Sequence, residues 1–248
     1  MASIEDRHFW FVARNHIICN ALIPLIHQLQ TGYRLLEVGC GTGALLSKLA
    51  HICQEGEVIG MDLHNEAVEV AKKRTPCKVV SGNILDPPEL GQFDIVGAFD
   101  VIEHLEDHVA ALMGLSKLLR PGGKILLTVP AHMSLWSYFD EAACHKRRYN
   151  LHSLVSALKS AKLQPLYMTE FMMGTFPLIW LGRRLFSSRK VSSSITEQAN
   201  LELKIVPIVN SLLKNFLLLE KYWIGGHLKL PFGSSIIAIA QTCQKFLS

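Results

Sequence analysis

Leu35-Leu36-Glu37-Val38-Gly39-Cys40-Gly41-Thr42-Gly43 is the stretch that decides the fold of this chain of 248 residues. Its apolar half predicts a buried strand, and the glycines allow the backbone to turn sharply and approach a ligand with no Cβ in the way. The next residues, 44–50, predict a helix whose free N–H groups face the same ligand. Glycine turns also arise for purely structural reasons, but this context predicts a docking site for a nucleotide-like cofactor.

A second short strand is predicted over residues 58–62, and it ends in Asp62 about twenty residues after the glycines. A carboxylate at this position can accept hydrogen bonds from two ribose hydroxyls, which adenosyl ligands and dinucleotides both carry. Asp62 could instead cap the helix predicted over residues 66–74, and one acid could do both.

Two kinds of cofactor compete for this turn, because residues 39–44 also satisfy the dinucleotide pattern G-x-G-x-x-A. Glu37 lies two residues before the first glycine. Its carboxylate would repel a pyrophosphate and attract the ammonium group of a methionine. The charge therefore favours an adenosyl cofactor that carries an amino acid.

Three further segments follow, at residues 80–85, 93–104 and 119–127. In this order and spacing, the segments and the glycine loop resemble the class I methyltransferases that use S-adenosylmethionine, across roughly residues 33–130. The resemblance implies that Asp62 holds the ribose and that Asn83, where the family often has Asp, contacts the adenine amine. A turn formed by Gly82 and Asn83 is the alternative. The implied cofactor-binding residues are Arg14, Glu37, Gly39, Cys40, Gly41, Gly43, Asp62, Leu63, Asn83, Ile84, Phe99, Asp100 and His104.

The coarse pattern is α/β. Strands near 34–38, 57–61, 77–81, 93–99 and 123–129 alternate with helices near 44–52, 65–74 and 105–119, which predicts a parallel, doubly wound sheet. A helix over 151–161 capped by Asn150, a strand over 165–169 and a last strand over 235–240 follow. The resemblance implies a Rossmann-like, seven-stranded sheet whose last strand is antiparallel. We expect one domain, with a lid (1–32), a cofactor-binding core (33–170), a helical cap (171–233) and the last strand and tail (234–248).

The predicted cap contains two apolar pieces, residues 171–182 and 205–219, separated by a polar stretch, 187–200, that we expect to be a mobile loop. The first piece is too short and too broken by Gly and Pro to span a membrane. The pieces predict helices that cover the sheet. An apolar channel, or a face lying on a membrane surface, is the sharper alternative, with these residues at the headgroup level: Trp180, Arg183, Arg184, Tyr222 and Trp223.

The N-terminal segment, residues 5–14, places Phe9, Trp10 and Phe11 side by side, and three adjacent aromatic residues need burial. The segment resembles the lid that precedes the first strand in one branch of these methyltransferases. The resemblance implies that Arg14 binds the cofactor carboxylate while the aromatic residues exclude water. The alternative is a helix that caps the sheet, with Arg14 on the surface.

A polar cluster follows the fifth strand, at the edge where doubly wound folds bind ligands. Its pattern, Trp-x-x-x-Asp and then His-x-Arg-Arg-Tyr, resembles a signature of bacterial methyltransferases that often serve the biosynthesis of lipid-linked sugars and secondary metabolites. We expect His132 or His145 to act as a base, with Asp140 orienting a histidine. The acceptor would contact Trp136, Arg147, Arg148 and Tyr149.

Composition excludes several classes of protein. The formal charge is +4, and the basic clusters lack alternating aromatic residues, so no nucleic-acid partner is expected. The six cysteines are scattered without C-x-x-C pairs, which argues for a reducing compartment and against zinc or a disulfide framework. No carboxylate pair suggests a magnesium site, so no metal is expected. No secretory signal is evident, which predicts a cytoplasmic protein, with the inner face of the membrane as an alternative location.

Together these features predict transfer of a methyl group from S-adenosylmethionine to an apolar or lipid-linked small molecule, with S-adenosylhomocysteine as the second product. Three alternatives remain open at this point: a different reaction of S-adenosylmethionine, an NAD-dependent oxidoreductase, and a non-catalytic module that binds the cofactor.

Overall fold

The computed structural model describes residues 2–186 and 205–242. In these residues, seven strands form one sheet in the order β3-β2-β1-β4-β5-β7-β6. The strands are β1 Arg34–Val38, β2 Glu57–Asp62, β3 Lys78–Ser81, β4 Phe93–Phe99, β5 Leu119–Pro130, β6 Leu163–Phe171 and β7 Ser235–Thr242. The α-helices in the described ranges are α1 Ala2–Glu5, α2 Phe9–Ile26, α3 Ala44–Ile52, α4 Asn65–Arg74, α5 His108–Lys117, α6 Tyr138–Ala142, α7 Leu151–Ser160, α8 Phe176–Phe186 and α9 Pro207–Gly225.

The pairing of the strands confirms the predicted topology. Strands β1 to β5 pair in parallel, whereas β7 runs antiparallel to both β5 and β6. The carboxyl ends of β1, β2, β4 and β5 therefore meet at one edge of the sheet. The strand order reverses between β1 and β4, and ligands of doubly wound folds bind in the crevice at such a switch point.

Several elements differ from their predicted bounds, and within residues 33–170 two of them begin three or four residues away from their predicted starts. Helix α5 begins at His108 rather than near residue 105, because Asp107 caps it by accepting a hydrogen bond from the Ala110 amide at 2.8 Å. The preceding residues, Ile102–His104, form a single 3-10 turn instead. Strand β5 begins at Leu119 rather than at residue 123, because Leu119 pairs with Phe93 before an irregularity in the register.

Helices cover both faces of the sheet and position the site between them. On one face, α2 and α3 contribute Ile17, Leu22 and Leu46 to a buried apolar cluster. On the other face, α5 and α7 contribute Leu115 and Leu158 to a second cluster. By length and composition α2 is the described helix that could cross a membrane, but ten of its residues are buried in the fold.

The cap packs inward. Helix α9 lies against α2, and its Leu217 and Ile224 are fully buried. Its buried Glu220 accepts hydrogen bonds from the amides of Met172 and Met173 at 2.7 and 2.8 Å, just after β6. Helix α9 therefore packs on α2, and the covering of the sheet by the cap stays a prediction. The loop predicted over residues 187–200 lies outside the described residues.

Apolar side chains also remain on the outer face of the cap. The exposed ones are Leu178, Trp180, Leu181, Val206, Ile208, Val209, Leu212, Phe216, Leu219, Tyr222 and Trp223. The side chains of Arg183 and Arg184 lie outside the described part of the structure. The cap therefore packs on the fold and still presents apolar surface, so the two predicted roles are compatible.

The packing of α9 can be tested by comparing alanine substitutions at one buried and one exposed leucine of this helix. Replacing Leu217, which is fully buried, by alanine leaves a cavity and should lower the free energy of unfolding by about 2–5 kcal/mol. Leu212 is 67% exposed, and its replacement by alanine should change that free energy by less than ~0.5 kcal/mol. Urea unfolding followed by circular dichroism measures both. Equal effects of the two substitutions would contradict the inward packing of α9.

Candidate active site

The glycine loop is tied to the end of β2. The amides of Gly39 and Cys40 both donate to the Met61 carbonyl, at 2.8 and 3.1 Å. Gly39 has φ 69°, and a Cβ there would lie 2.5 Å from a methyl carbon of Val101. Gly41 has φ 53°, but a Cβ there would meet nothing within 4 Å. The loop therefore needs glycine at position 39 for packing, and at Gly41 its backbone faces open space that a ligand can enter.

Asp62 holds the glycine loop in place. One carboxylate oxygen accepts a hydrogen bond from the Gly41 amide at 2.8 Å, and the other accepts one from the His64 amide at 2.9 Å. The residue that caps α4 is His64, so the alternative that Asp62 caps this helix is wrong. Each oxygen keeps a further acceptor site, and ribose hydroxyls can donate to those sites.

Glu37 is a buried acid at the carboxyl half of β1, and its Oε2 atom has no hydrogen-bond partner among residues 2–186 and 205–242. Burial raises the pKa of Glu37 to about 8, although the charge of Arg14 opposes that rise. A buried polar atom without a partner is rare, because leaving it unsatisfied costs free energy. A ligand that carries an ammonium group would supply both the missing donor and the missing charge.

Arg14 lies inside the fold and not on its surface. Its Nε atom is 2.5 Å from a carboxylate oxygen of Asp100, and its guanidinium lies 5.5 Å from the centre of the Trp10 ring. The other oxygen of Asp100 accepts a hydrogen bond from the Thr128 hydroxyl at 3.1 Å. The predicted alternative of an exposed Arg14 is therefore wrong, and a cofactor carboxylate would have to share this guanidinium with Asp100.

The N-terminal segment is fastened to the glycine loop. Glu5 forms a hydrogen bond with the hydroxyl of Thr42, which lies in that loop. Arg74 donates to the same hydroxyl at 2.6 Å and forms an ion pair with Asp6, also at 2.6 Å. Because α4 carries Arg74, three elements meet at one point beside the loop.

The cap fastens the other side of the same segment. Asn210, in α9, accepts a hydrogen bond from the Phe9 amide at 2.7 Å and donates one to the Arg7 carbonyl at 3.0 Å. The N-terminal segment is thus held between the glycine loop and the cap, where a lid is expected.

The residues predicted to hold the adenine occupy different environments. Asn83 is exposed, and its carbonyl oxygen accepts a hydrogen bond from the Leu85 amide at 3.0 Å, as in the turn that was the alternative. Leu63, next to Asp62, is exposed, whereas Ile84 and Phe99 are buried. Contact of these residues with a cofactor stays a prediction.

Asp140 and His145 lie together, as their spacing predicted. His145 Nδ1 is 2.9 Å from an oxygen of Asp140, and Arg148 Nε lies 2.6 Å from the same oxygen. Burial alone would raise the pKa of Asp140, but the hydrogen bonds from His145 and Arg148 outweigh it and lower that pKa. Asp140 is therefore an anion that orients the imidazole of His145.

Two residues predicted to bind an acceptor form hydrogen bonds with other groups of the protein. Arg148 also donates to the Ala131 carbonyl at 3.0 Å, and its side chain is 7% exposed. Tyr149 is buried, and its hydroxyl lies 2.6 Å from Nδ1 of His108. Contact of these two residues with an acceptor stays a prediction, although their polar groups already have partners within the protein. Trp136 and Arg147 are both partly exposed and keep that prediction.

A second pair of a histidine and an acid lies at the ends of β5 and β6. His132 Nε2 is 2.8 Å from an oxygen of Glu170, which also accepts a hydrogen bond from the Gly233 amide at 2.8 Å. Phe176 packs edge-on against the imidazole of His132. Sequence reasoning missed Glu170, although an acid in the last residues of an apolar strand is the kind of signal that marked Asp62.

Glu103 was also missed as a functional residue. It is fully buried, and neither of its carboxylate oxygens has a hydrogen-bond partner in the part of the chain that the structure describes. Burial raises its pKa well above the usual value, and the neighbouring charge of Asp100 adds to that rise. The sequence Glu103-His104 is polar and gives no sign of burial, which only the packing of the 3-10 turn reveals. His104 is exposed, and its ring lies against that of His145.

The chain is similar in sequence to known methyltransferases over the segments that form this edge. Residues 36–127 match the family model described as a methyltransferase domain. The ubiquinone biosynthesis O-methyltransferase of Xanthomonas oryzae pv. oryzae is 34% identical over 104 residues, which cover 39% of this chain and 43% of that protein. An uncharacterized methyltransferase of Schizosaccharomyces pombe is 34% identical over 135 residues, 49% of this chain and 47% of that protein. The chain thus spans less than half of the length of these relatives.

Solved structures resemble the whole fold. The TehB-like S-adenosylmethionine-dependent methyltransferase of Corynebacterium glutamicum aligns with a TM-score of 0.55 at 14% identity, covering 91% of this chain and 88% of that one. Phosphoethanolamine N-methyltransferase 2 of Haemonchus contortus, in complex with S-adenosylmethionine, aligns with a TM-score of 0.57 at 20% identity, covering 90% and 52%. The fold is the Rossmann-like α/β fold of these methyltransferases.

The buried state of Glu37 predicts a pH dependence of stability. Its pKa is about 8 in the folded chain, and an exposed Glu in the unfolded chain titrates near 4.3. Folding therefore favours the protonated form, and the stability of the wild type should fall as the pH rises from about 5 to about 9. Glu37→Gln removes that loss. Its stability relative to the wild type should increase by at least ~1 kcal/mol over this range in urea unfolding.

The exposed Glu66 provides the matched control, because Glu66→Gln removes a carboxylate that is not buried. Its stability relative to the wild type should stay constant to within ~0.5 kcal/mol over the same range. The same pH dependence in both variants would contradict a raised pKa at Glu37.

Proposed function

We propose that this chain binds S-adenosylmethionine at the glycine loop and transfers its methyl group to a small apolar acceptor. The observation that carries the proposal is the unpaired Oε2 atom of Glu37, buried in the strand that leads into the glycine loop. An anionic pyrophosphate near this carboxylate would be repelled, whereas the ammonium of a methionine would be attracted. The match to a methyltransferase domain over residues 36–127 supports the same choice against a nicotinamide cofactor.

Each part of the cofactor has a fitting partner at this edge. Glu37 suits the ammonium, and Asp62 suits the ribose hydroxyls through the acceptor sites that its two backbone hydrogen bonds leave free. Arg14 suits the cofactor carboxylate, as the sequence implied. The exposed Leu63 offers an apolar surface to the adenine. These partners come from β1, β2 and α2, which meet at the switch point of the sheet.

When bound, S-adenosylmethionine supplies a methyl group on a positively charged sulfur, and its displacement needs alignment and the exclusion of water rather than a protein nucleophile. The N-terminal lid would exclude water. His132 would take the proton from an acceptor hydroxyl, because its side chain is 28% exposed and Glu170 holds its Nε2 atom. His145 also has a carboxylate partner, but its side chain is only 11% exposed, so an acceptor reaches it less easily than it reaches His132.

The apolar character of the acceptor rests on the cap. Helices α8 and α9 both carry exposed aliphatic and aromatic side chains, and Asn210 joins α9 to the N-terminal segment. Among the similar proteins, the Xanthomonas oryzae pv. oryzae enzyme is named for the biosynthesis of ubiquinone. An apolar or lipid-linked acceptor would be consistent with the exposed apolar side chains of the cap and with the name of this relative. Contact of the cap with a membrane surface stays a prediction from the sequence.

Calorimetric titration with S-adenosylmethionine and S-adenosylhomocysteine tests the cofactor. We expect the wild type to bind both, and Asp62→Ala to weaken binding at least ~10-fold, because it removes a charged hydrogen-bond acceptor and an anchor of the glycine loop. The exposed Glu66→Gln serves as the control and should bind like the wild type. Tight binding of NAD, with none of S-adenosylmethionine, would replace this proposal by the oxidoreductase alternative.

The role of His132 is tested by labelled methyl transfer to apolar hydroxyl acceptors. Loss of a general base costs about 10²–10⁴-fold in rate, so His132→Ala should lower kcat by that factor while S-adenosylmethionine still binds. The matched control is His152→Ala, which removes an exposed histidine on α7 and should leave kcat unchanged. Full activity of His132→Ala would assign the proton transfer to another group, and a loss of cofactor binding would indicate a structural role instead.

A further inference from the structure

We propose that Glu103, His104 and His145 form a binding site for a divalent transition-metal ion. One ligand atom from each residue lies within 4.8 Å of the others. Glu103 and His104 belong to the 3-10 turn after β4, and His145 belongs to the segment between α6 and α7. A modest contraction of this triad would bring the three atoms to bonding distance of one ion, at about 2.0–2.2 Å each.

Glu103 carries the argument. Its side chain is fully buried, and neither oxygen has a hydrogen-bond partner within the described residues. Buried charges in proteins are paired or coordinate metals. Arg148 is near, but it is bonded to Asp140 and to a backbone carbonyl. A divalent cation would bind both carboxylate oxygens or one of them, and would supply the missing charge.

The two histidines are arranged to accept a metal. Asp140 accepts a hydrogen bond from Nδ1 of His145, which leaves Nε2 of that ring as the atom with a free lone pair. An imidazole held by a carboxylate through its other nitrogen is the usual second shell of a metal-binding histidine. The ring of His104 lies 4.8 Å from that of His145, centre to centre.

The backbone fixes the two parts of the triad against each other. The Lys146 amide, next to His145, donates to the carbonyl of Glu103 at 2.8 Å. The His145 amide donates to the carbonyl of Asp140, also at 2.8 Å. The ligands therefore come from segments that are already docked, which lowers the cost of ordering the site around an ion.

The donor set selects the kind of ion. Two imidazole nitrogens and one carboxylate oxygen suit Zn²⁺, Mn²⁺ or Fe²⁺, whereas Mg²⁺ and Ca²⁺ prefer oxygen ligands. Three protein ligands leave coordination positions open, and an oxygen atom of an acceptor could fill one of them. The site follows β4, as does Asp100, so it adjoins the edge where the cofactor is proposed to bind. The inference does not depend on the proposed function, because it rests on the triad alone.

The expectation from the sequence was that no metal is bound. That expectation considered the spacing of carboxylates and cysteines, whereas His145 lies more than forty residues after Glu103 and joins it only through the fold.

The metal alone tests the proposal. The full chain is stripped with a chelator, incubated with Zn²⁺, Mn²⁺, Fe²⁺ under anaerobic conditions, or Mg²⁺, and passed through a desalting column before its metal content and calorimetric affinity are measured. We expect about one transition-metal ion per chain and at least ~10-fold weaker binding in Glu103→Gln and His104→Gln. Substitution with Co²⁺ should give an absorption spectrum that shows nitrogen ligands, and this spectrum should be lost in His104→Gln.

The controls distinguish the loss of metal ligands from the loss of folding. His104 is exposed, so His104→Gln should keep the circular dichroism spectrum of the wild type even if Glu103→Gln does not fold. The exposed His152→Gln should bind the metal like the wild type. Absence of bound metal in the wild type, or equal binding in the wild type and His104→Gln, overturns the proposal. Titration of the same metal-free samples with S-adenosylmethionine reports on the proposed function separately.

Discussion

A concentration of acidic side chains, most of them buried, at one edge of the sheet is the constraint on which this structure depends. Glu37, Asp62, Asp100 and Glu103 all lie at or near the carboxyl ends of β1, β2 and β4. Asp62 is stabilised by two backbone amides, and Asp100 by Arg14. Glu37 and Glu103 each keep at least one oxygen without a partner. A fold that carries such a cost usually retains it where a ligand binds.

The acidic side chains at this edge favour some kinds of ligand over others. The glycine loop lets a nucleotide-like group approach the backbone at Gly41, and the acids Glu37 and Asp62 lie beside it. A ligand with positive charge is favoured beside these acids, and a ligand with a second anionic group is not. The same reasoning covers an organic cation next to Glu37 and a metal cation next to Glu103. The two positions differ in their donors, because Glu103 has histidines beside it and Glu37 does not.

Sequence reasoning succeeded where the partners are close along the chain. The strands and the glycine loop follow from local patterns, Asn150 caps α7 as predicted, and Asp140 and His145 are only five residues apart. It failed where a contact spans the fold. Glu170 reaches His132 because β5 and β6 end at the same edge, and 38 residues separate them. From the sequence alone Glu103 would be expected to be exposed, and only the packing of the turn after β4 shows that it is buried.

The two hydrogen bonds of Asn210 restrict how the N-terminal segment can move. They join α9, which carries the apolar surface, to the backbone on both sides of the N-terminal segment's entry into α2. That segment cannot swing away from the glycine loop without breaking these bonds or carrying α9 with it. Displacement of this segment is therefore mechanically coupled to displacement of α9, so the N-terminal segment and the cap behave as one unit beside the glycine loop.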